Sequence, residues 1–124
     1  MTWAEVSQSN LSSARRLYEA RYWRSSVSRS YYALFAAVTS AVPARALPPR
    51  YTAPRHRDLP GLIDRHLVRL AWHQREAMKA AWRRCYGSRL MADYNVGRDV
   101  DQPQAKQAIQ DAIGIMRRMG VSYA

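Results

Sequence analysis

Residues 23–42 read WRSSVSRSYYALFAAVTSAV. Val27, Tyr31, Leu34, Phe35, Val38 and Val42 recur at steps of three and four, which lays one apolar stripe along a helix. Arg24, Ser25, Ser28 and Arg29 fall mostly outside that stripe. Tyr32 follows Tyr31 by about 100° around the axis and points toward the side of Ser28 and Arg29. Pro43 blocks continuation, because it lacks an amide proton and clashes with the preceding turn.

Helical periods also govern the sequence on either side. Thr2 and Glu5 have the spacing of a capping box, so a first helix starts there and ends near Glu19 or Arg21. Val6, Leu11, Ala14 and Tyr18 form its inward stripe. Residues 43–57 hold four prolines and four arginines with no acid, and read as an extended basic loop, not a packed element. Asp58 suits the cap of a short third helix carrying Leu62, Ile63, Leu67 and Leu70, with Pro60 tolerated in its first turn. A fourth helix is expected from His73 or Gln74 to Tyr94, through Met78, Trp82, Cys85, Tyr86, Arg89 and Asp93. Asp101 and Gln104 cap a fifth, with Ala105, Ala108, Ile109, Ala112, Ile115, Met116 and Met119 inward and Gly120 as its stop. No alternating run suggests a strand. The fold class expected is all-α, a four- to five-helix antiparallel bundle, with residues 1–124 as one domain.

The charge is unusual. The 124 residues carry 20 cations against nine acids, a net of +11 with histidine neutral, and 18 of those cations are arginine. Between Ser12 and Arg57 nine arginines face Glu19 alone. Such a field attracts a polyanion by counterion release, and the guanidinium fork suits phosphate. An arginine-rich solvated surface is the alternative meaning.

Other chemistries fall away. One cysteine, Cys85, excludes a disulfide framework and fits a reducing, cytoplasmic setting. Inside a helix it reads as a buried structural thiol. His56, His66 and His73 lack metal-ligand spacing, so no metal site is expected. Without a Walker A loop or GxGxxG, no nucleotide cofactor is implied. The run Tyr31–Val42 is too short to cross a bilayer and too far from the start to be a signal peptide.

Two clusters carry candidate chemistry. Around Tyr31 and Tyr32, aromatic rings lie beside arginines, a combination that stacks bases and binds phosphates, or that packs between helices with bonded hydroxyls. In Arg89-Leu90-Met91-Ala92-Asp93-Tyr94, Arg89 and Asp93 sit one turn apart on the face of Trp82, Cys85 and Tyr86. That pair is either a structural ion pair or a phosphate site at the edge of an apolar surface.

Together, Ser28-Arg29-Ser30-Tyr31-Tyr32-Ala33-Leu34-Phe35 and Arg89–Tyr94 resemble the HEPN domain, whose small prokaryotic members carry sRxYYAxF and RxxADY in their second and fourth helices. The segment His56–Leu67 is similar to the family's intervening H-x-G-L region. The resemblance implies a helical bundle of HEPN type, commonly a homodimer, often paired with a nucleotidyltransferase. It also implies a metal-independent endoribonuclease acting as a toxin or defence component, in which an Arg-x(4–6)-His motif lets the RNA 2′-hydroxyl attack the adjacent phosphate. Here Arg89 occupies the arginine position, but Tyr94 stands where histidine is expected. With an ordinary pKa near 10, tyrosine is a poor base at neutral pH, though it donates well to phosphate. Arg50 and His56 also satisfy the spacing, by chance in so arginine-rich a chain.

The resemblance thus assigns Arg89, Asp93 and Tyr94 to a catalytic cleft. Arg29 and Tyr32 lie beside it, and Arg45, Arg50, Arg55 and Arg57 supply phosphate affinity for RNA. The alternative is a non-catalytic module that dimerises and docks a nucleotidyltransferase or larger effector. A DNA-binding role ranks last, as no tight glycine turn precedes a recognition helix.

Overall fold

The computed structural model describes residues 1–47 and 53–123, and among these every regular element is helical. Five α-helices follow in order: α1 Trp3–Glu19, α2 Trp23–Ala41, α3 Leu59–His66, α4 Trp72–Tyr94 and α5 Gln102–Arg118. Short 3-10 turns occupy Ala44–Ala46 and His56–Asp58. None of the described helices is long and apolar enough to cross a membrane.

The two expected capping boxes form. Thr2 accepts from the Glu5 amide at 3.1 Å, and Asp101 from the Gln104 amide at 3.0 Å. Pro103 follows Asp101 into the first turn of α5, and Gly120 ends the helix at φ +72°. There the Val121 amide reaches back to Met116 and the Gly120 amide to Arg117, the paired bonds of a Schellman end. The end of α1 repeats this pattern without a glycine: Tyr22 reaches Leu17, Arg21 reaches Tyr18, and Arg21 takes φ 66°. An arginine in that region is strained, since its Cβ crowds the backbone.

Three boundaries differ from expectation. Asp58 occupies the cap position of α3, yet its carboxylate pairs with Arg55 Nε at 3.0 Å and makes no cap bond. The α4 helix begins earlier, at Trp72, because the Gln74 side chain reaches back to the Ala71 amide at 2.8 Å. Of the expected loop 43–57, residues 48–52 lie outside the described residues; at its far end Pro54 is buried and the His56 ring packs 4.6 Å from Phe35. A proline beside an aromatic ring gives that end of the loop an apolar anchor, which its charge concealed.

The second helix is the axis of the bundle, not a one-sided strip. Ser26, Ser28, Ser30, Ala33, Ala36, Ala37 and Thr39 are buried along with the apolar stripe. Their small side chains let α1, α4 and α5 approach from three directions. Ser7 donates to the Ala33 carbonyl at 2.6 Å and Ser26 to that of Ala14 at 2.8 Å, which pairs α1 and α2 antiparallel. On the other flank, Tyr31 meets Tyr86 and Tyr32 meets Arg89, so α4 also runs against α2. Asp111 of α5, only 5% exposed, holds Arg84 of α4 at 2.8 Å and accepts from Gln107.

Candidate functional site

The flank between α2 and α4 gathers the chemistry. Arg89, one turn before the end of α4, is 9% exposed. Its Nη2 donates to Tyr32 Oη at 3.0 Å, and its Nε pairs with Asp93 Oδ2 at 2.9 Å across one helical turn. The guanidinium carbon lies 5.6 Å from the Tyr31 ring centroid, 5.4 Å from Tyr32 and 5.6 Å from Tyr94. Three aromatic faces therefore compensate part of the desolvation of this cation. Burial opposes the charge, but Tyr32, Asp93 and Tyr94 outweigh it and leave the guanidinium pKa raised. Arg89 stays charged.

Tyr32 is shared. Its ring also receives Arg29 at 5.1 Å, so it touches two guanidinium groups, one buried and one exposed. Arg29 is steadied by Asn10 Oδ1 at 3.2 Å. Beside them an open groove of about 540 Å³ is lined by Leu17, Arg24, Ser25, Ser28, Arg29, Ala92 and Asp93. Arg24 does not project into solvent. It donates to the carbonyls of Met91 at 3.2 Å and Ala92 at 3.0 Å and also bonds that of Arg98, capping the C-terminus of α4. The last carbonyls of a helix lack partners of their own, and a cation there also meets the negative end of the dipole.

Tyr31 turns the other way. It is fully buried, and its hydroxyl shares a hydrogen bond of 2.8 Å with Nδ1 of His56. Burial pushes this phenol far above its ordinary range, so it keeps its proton. The His56 ring lies 5.5 Å from Tyr31, 6.1 Å from Tyr32 and 6.2 Å from Tyr86, nearly parallel to the last. Burial first, then the charge of Arg89, holds the imidazole below its ordinary value. Trp82 stacks on Tyr86 at 5.0 Å and closes the floor. Tyr31 and Tyr32 thus pack between helices with bonded hydroxyls, one of the two meanings open from sequence, while Tyr32 keeps contact with the basic edge.

The expected catalytic trio comes together: Arg89, Asp93 and the exposed Tyr94 form one unit, with Tyr32 and Arg29 adjoining. The basic loop does so less completely. Arg55 and Arg57 flank His56 and are exposed, although Arg55 is engaged by Asp58. Arg45 is exposed in its own 3-10 turn and makes no contact with the Arg89 cluster among the described residues. Arg50 lies outside the described residues.

On sequence spacing His56 pairs with Arg50 only by chance; the fold sets it against Tyr31 and Tyr32, the rings that also carry Arg89, and the Arg89 charge acts on it. Only its place in the segment following the loop hinted at this. Cys85 is 1% exposed, and burial pushes its thiol far up, so it is an inert core residue. No three His, Cys, Asp or Glu side chains cluster among the described residues in a way that would hold a metal.

Among curated proteins none matches the chain. A family model for the HEPN domain matches residues 1–121 of the 124, the span that contains all five helices and the whole Arg89 cluster. The chain belongs to the HEPN domain family.

Proposed function

We propose that this chain is an RNA-binding HEPN domain that cleaves RNA without a metal, with Arg89 as the phosphate anchor. The observation that carries the reading is the state of Arg89. It is a permanently charged group held on three rings, with Tyr32 on Nη2 and Asp93 on Nε, so that neither partner engages Nη1. A fixed cation of this kind is suited to charge that develops on a phosphorane, because it needs no reorganisation when the charge forms. Asp93 holds its rotamer, and Tyr94 covers it from the solvent side and can donate to a phosphate oxygen. Arg29, Arg45, Arg55 and Arg57 add affinity that is independent of sequence. For about four phosphates of single-stranded RNA, the slope of log affinity on log salt is about −3.

The test is incubation of the purified protein with labelled RNA in EDTA, followed by analysis of the new ends. Fragments ending in 2′,3′-cyclic phosphate, lost in Arg89→Ala, support the reading. Intact RNA across a series of salt and pH overturns it.

A second reading has its own observation. Asp93 already neutralises Arg89, while Tyr94 (71% exposed) and Val96 (93%) stand apolar and open just beyond. This favours a non-catalytic module in which the pair braces α4 and that end docks a partner, such as a second copy or a nucleotidyltransferase. A toxin or defence role belongs with the first reading, and cytoplasmic residence with both.

A further inference from the structure

We propose that Trp72, at the opposite end of α4 from Arg89, is a base-stacking platform for single-stranded RNA. The strand runs between the two along the outer face of that helix, with Arg83 on one of its phosphates. The inference rests on the RNA-binding reading above and extends its footprint beyond the Arg89 cluster.

Trp72 is the first residue of α4 and is 68% exposed, whereas Trp82 of the same helix is buried. Starting the helix does not require it, since the bond at that end joins the Gln74 side chain to the Ala71 amide. Its ring makes no aromatic, cation or hydrogen-bond contact with the described residues. At about 100° per residue, Arg83 lies about 20° from Trp72 around the axis, Leu90 falls on the same line and Tyr94 lies about 40° away. All four are exposed, and Tyr94 reaches the Arg89 guanidinium. One face of α4 thus carries a ring, a cation, an apolar side chain and a second ring in order. The rise from Trp72 to Arg89 is about 25 Å, several nucleotides of an extended strand.

Charge points the same way. Arg83 makes no ion pair among the described residues, while its neighbour Arg84 is taken by Asp111. Arg69 and His73 are exposed on either side of Trp72 and are likewise unpaired among them. The acids nearby are occupied: Lys79 holds Asp64 at 2.8 Å and Glu76 at 2.7 Å. Separated rings with cations between them suit a single strand, whose bases stack while its phosphates meet guanidinium groups. They suit a protein partner poorly. A stable interface needs about 800 Å² per side, and here Arg83 and the Lys79 ion pairs interrupt the apolar side chains.

The test measures binding, with unpaired 2′-O-methyl RNAs that present no 2′-hydroxyl for attack. One is a trinucleotide, too short to reach both ends of α4; the other, of about twelve nucleotides, spans them. Wild-type protein is expected to bind the longer RNA more tightly. Trp72→Ala weakens that binding by about 5–100-fold, the range for one stacked base, and leaves the trinucleotide nearly unchanged. Trp72→Phe keeps a stacking face and retains most of the affinity. Arg83→Ala lowers the magnitude of the salt slope for the longer RNA by about 0.7, one phosphate contact. Both residues lie outside the core, so the variants keep the fold. Equal affinity of wild type and Trp72→Ala for the longer RNA overturns the inference and leaves the RNA-binding reading standing. A loss that accompanies a change from dimer to monomer in sedimentation gives this face to a second copy and overturns it too. If the wild type binds neither RNA, the inference and the reading both fail.

Discussion

Tyr32 Oη accepts a hydrogen bond from Arg89 Nη2 at 3.0 Å, while the hydroxyl of the preceding residue, Tyr31, bonds His56. Two consecutive tyrosines therefore divide one flank of α2 between a buried cation and a half-buried imidazole. The division follows from the helix itself, whose neighbouring side chains diverge by about 100°. Arg89 contacts both rings, so the two halves meet at its guanidinium.

Replacing Arg89 tests this meeting point directly. Arg89→Ala is expected to lower RNA cleavage by about 10²–10³-fold, the scale seen when one preorganised charge donor is removed. It also strips Tyr32 of its partner, which costs about 1–2 kcal/mol, read as a lower urea midpoint. Arg89→Lys keeps the charge but not the planar fork. The lysine variant is therefore expected to retain most of the salt dependence of RNA binding while losing rate. A lysine variant as fast as wild type would show that fork geometry is irrelevant.

Arg21 and Gly120 close equivalent helix ends, one with a strained residue and one without. Arg21→Gly is expected to raise stability by about 1 kcal/mol through relief of the left-handed backbone. Loss of the Arg21 contact with the Trp23 ring, at 6.0 Å, offsets a small part of this gain. Gly120→Ala should lower stability by a similar amount. Thermal melts of the two variants measure both, and equal shifts of the same sign would contradict the assignment.

Because Ala33 is fully buried where the Ser7 hydroxyl crosses from α1, there is no room for a larger side chain. Ala33→Leu is expected to destabilise by about 1–3 kcal/mol or more through overpacking, with unfolding at lower urea. Replacement of the exposed Ser40 by leucine serves as the comparison and should change stability little.

Stability should also depend on pH through His56. Its folded pKa lies below the value in the unfolded chain, so near pH 6.5 and below the unfolded state binds more protons. Stability is therefore full above that range and falls as pH drops through about 6.5 toward the folded value. Urea midpoints at pH 7.5 and 5.5 measure the slope, and His56→Asn is expected to flatten it. An unchanged slope in the variant would place the proton uptake elsewhere.

Local spacing made much of this legible. Capping boxes, the stop at Gly120 and the Arg89–Asp93 pair all lie within one or two helical turns, where sequence distance and spatial distance agree. What escaped depends on tertiary contact. His56 meets Tyr31 from 25 positions away in the chain, and Arg84 meets Asp111 between two helices. The burial of serines and alanines in α2 escaped for another reason: small polar residues read as a solvated face unless three neighbours are known to converge on them. The position of Arg24 outside the apolar stripe gives no sign of its role, since nothing in the numbering shows that a helix C-terminus lies within its reach.

That last contact has a mechanical corollary. Arg24 rivets the opening turn of α2 to the closing turn of α4, so parting these two rods at this end would sacrifice several charge-assisted bonds together. Adaptation to an incoming molecule then falls to side-chain rotation, above all the swing of the Tyr94 phenol off the guanidinium it shelters.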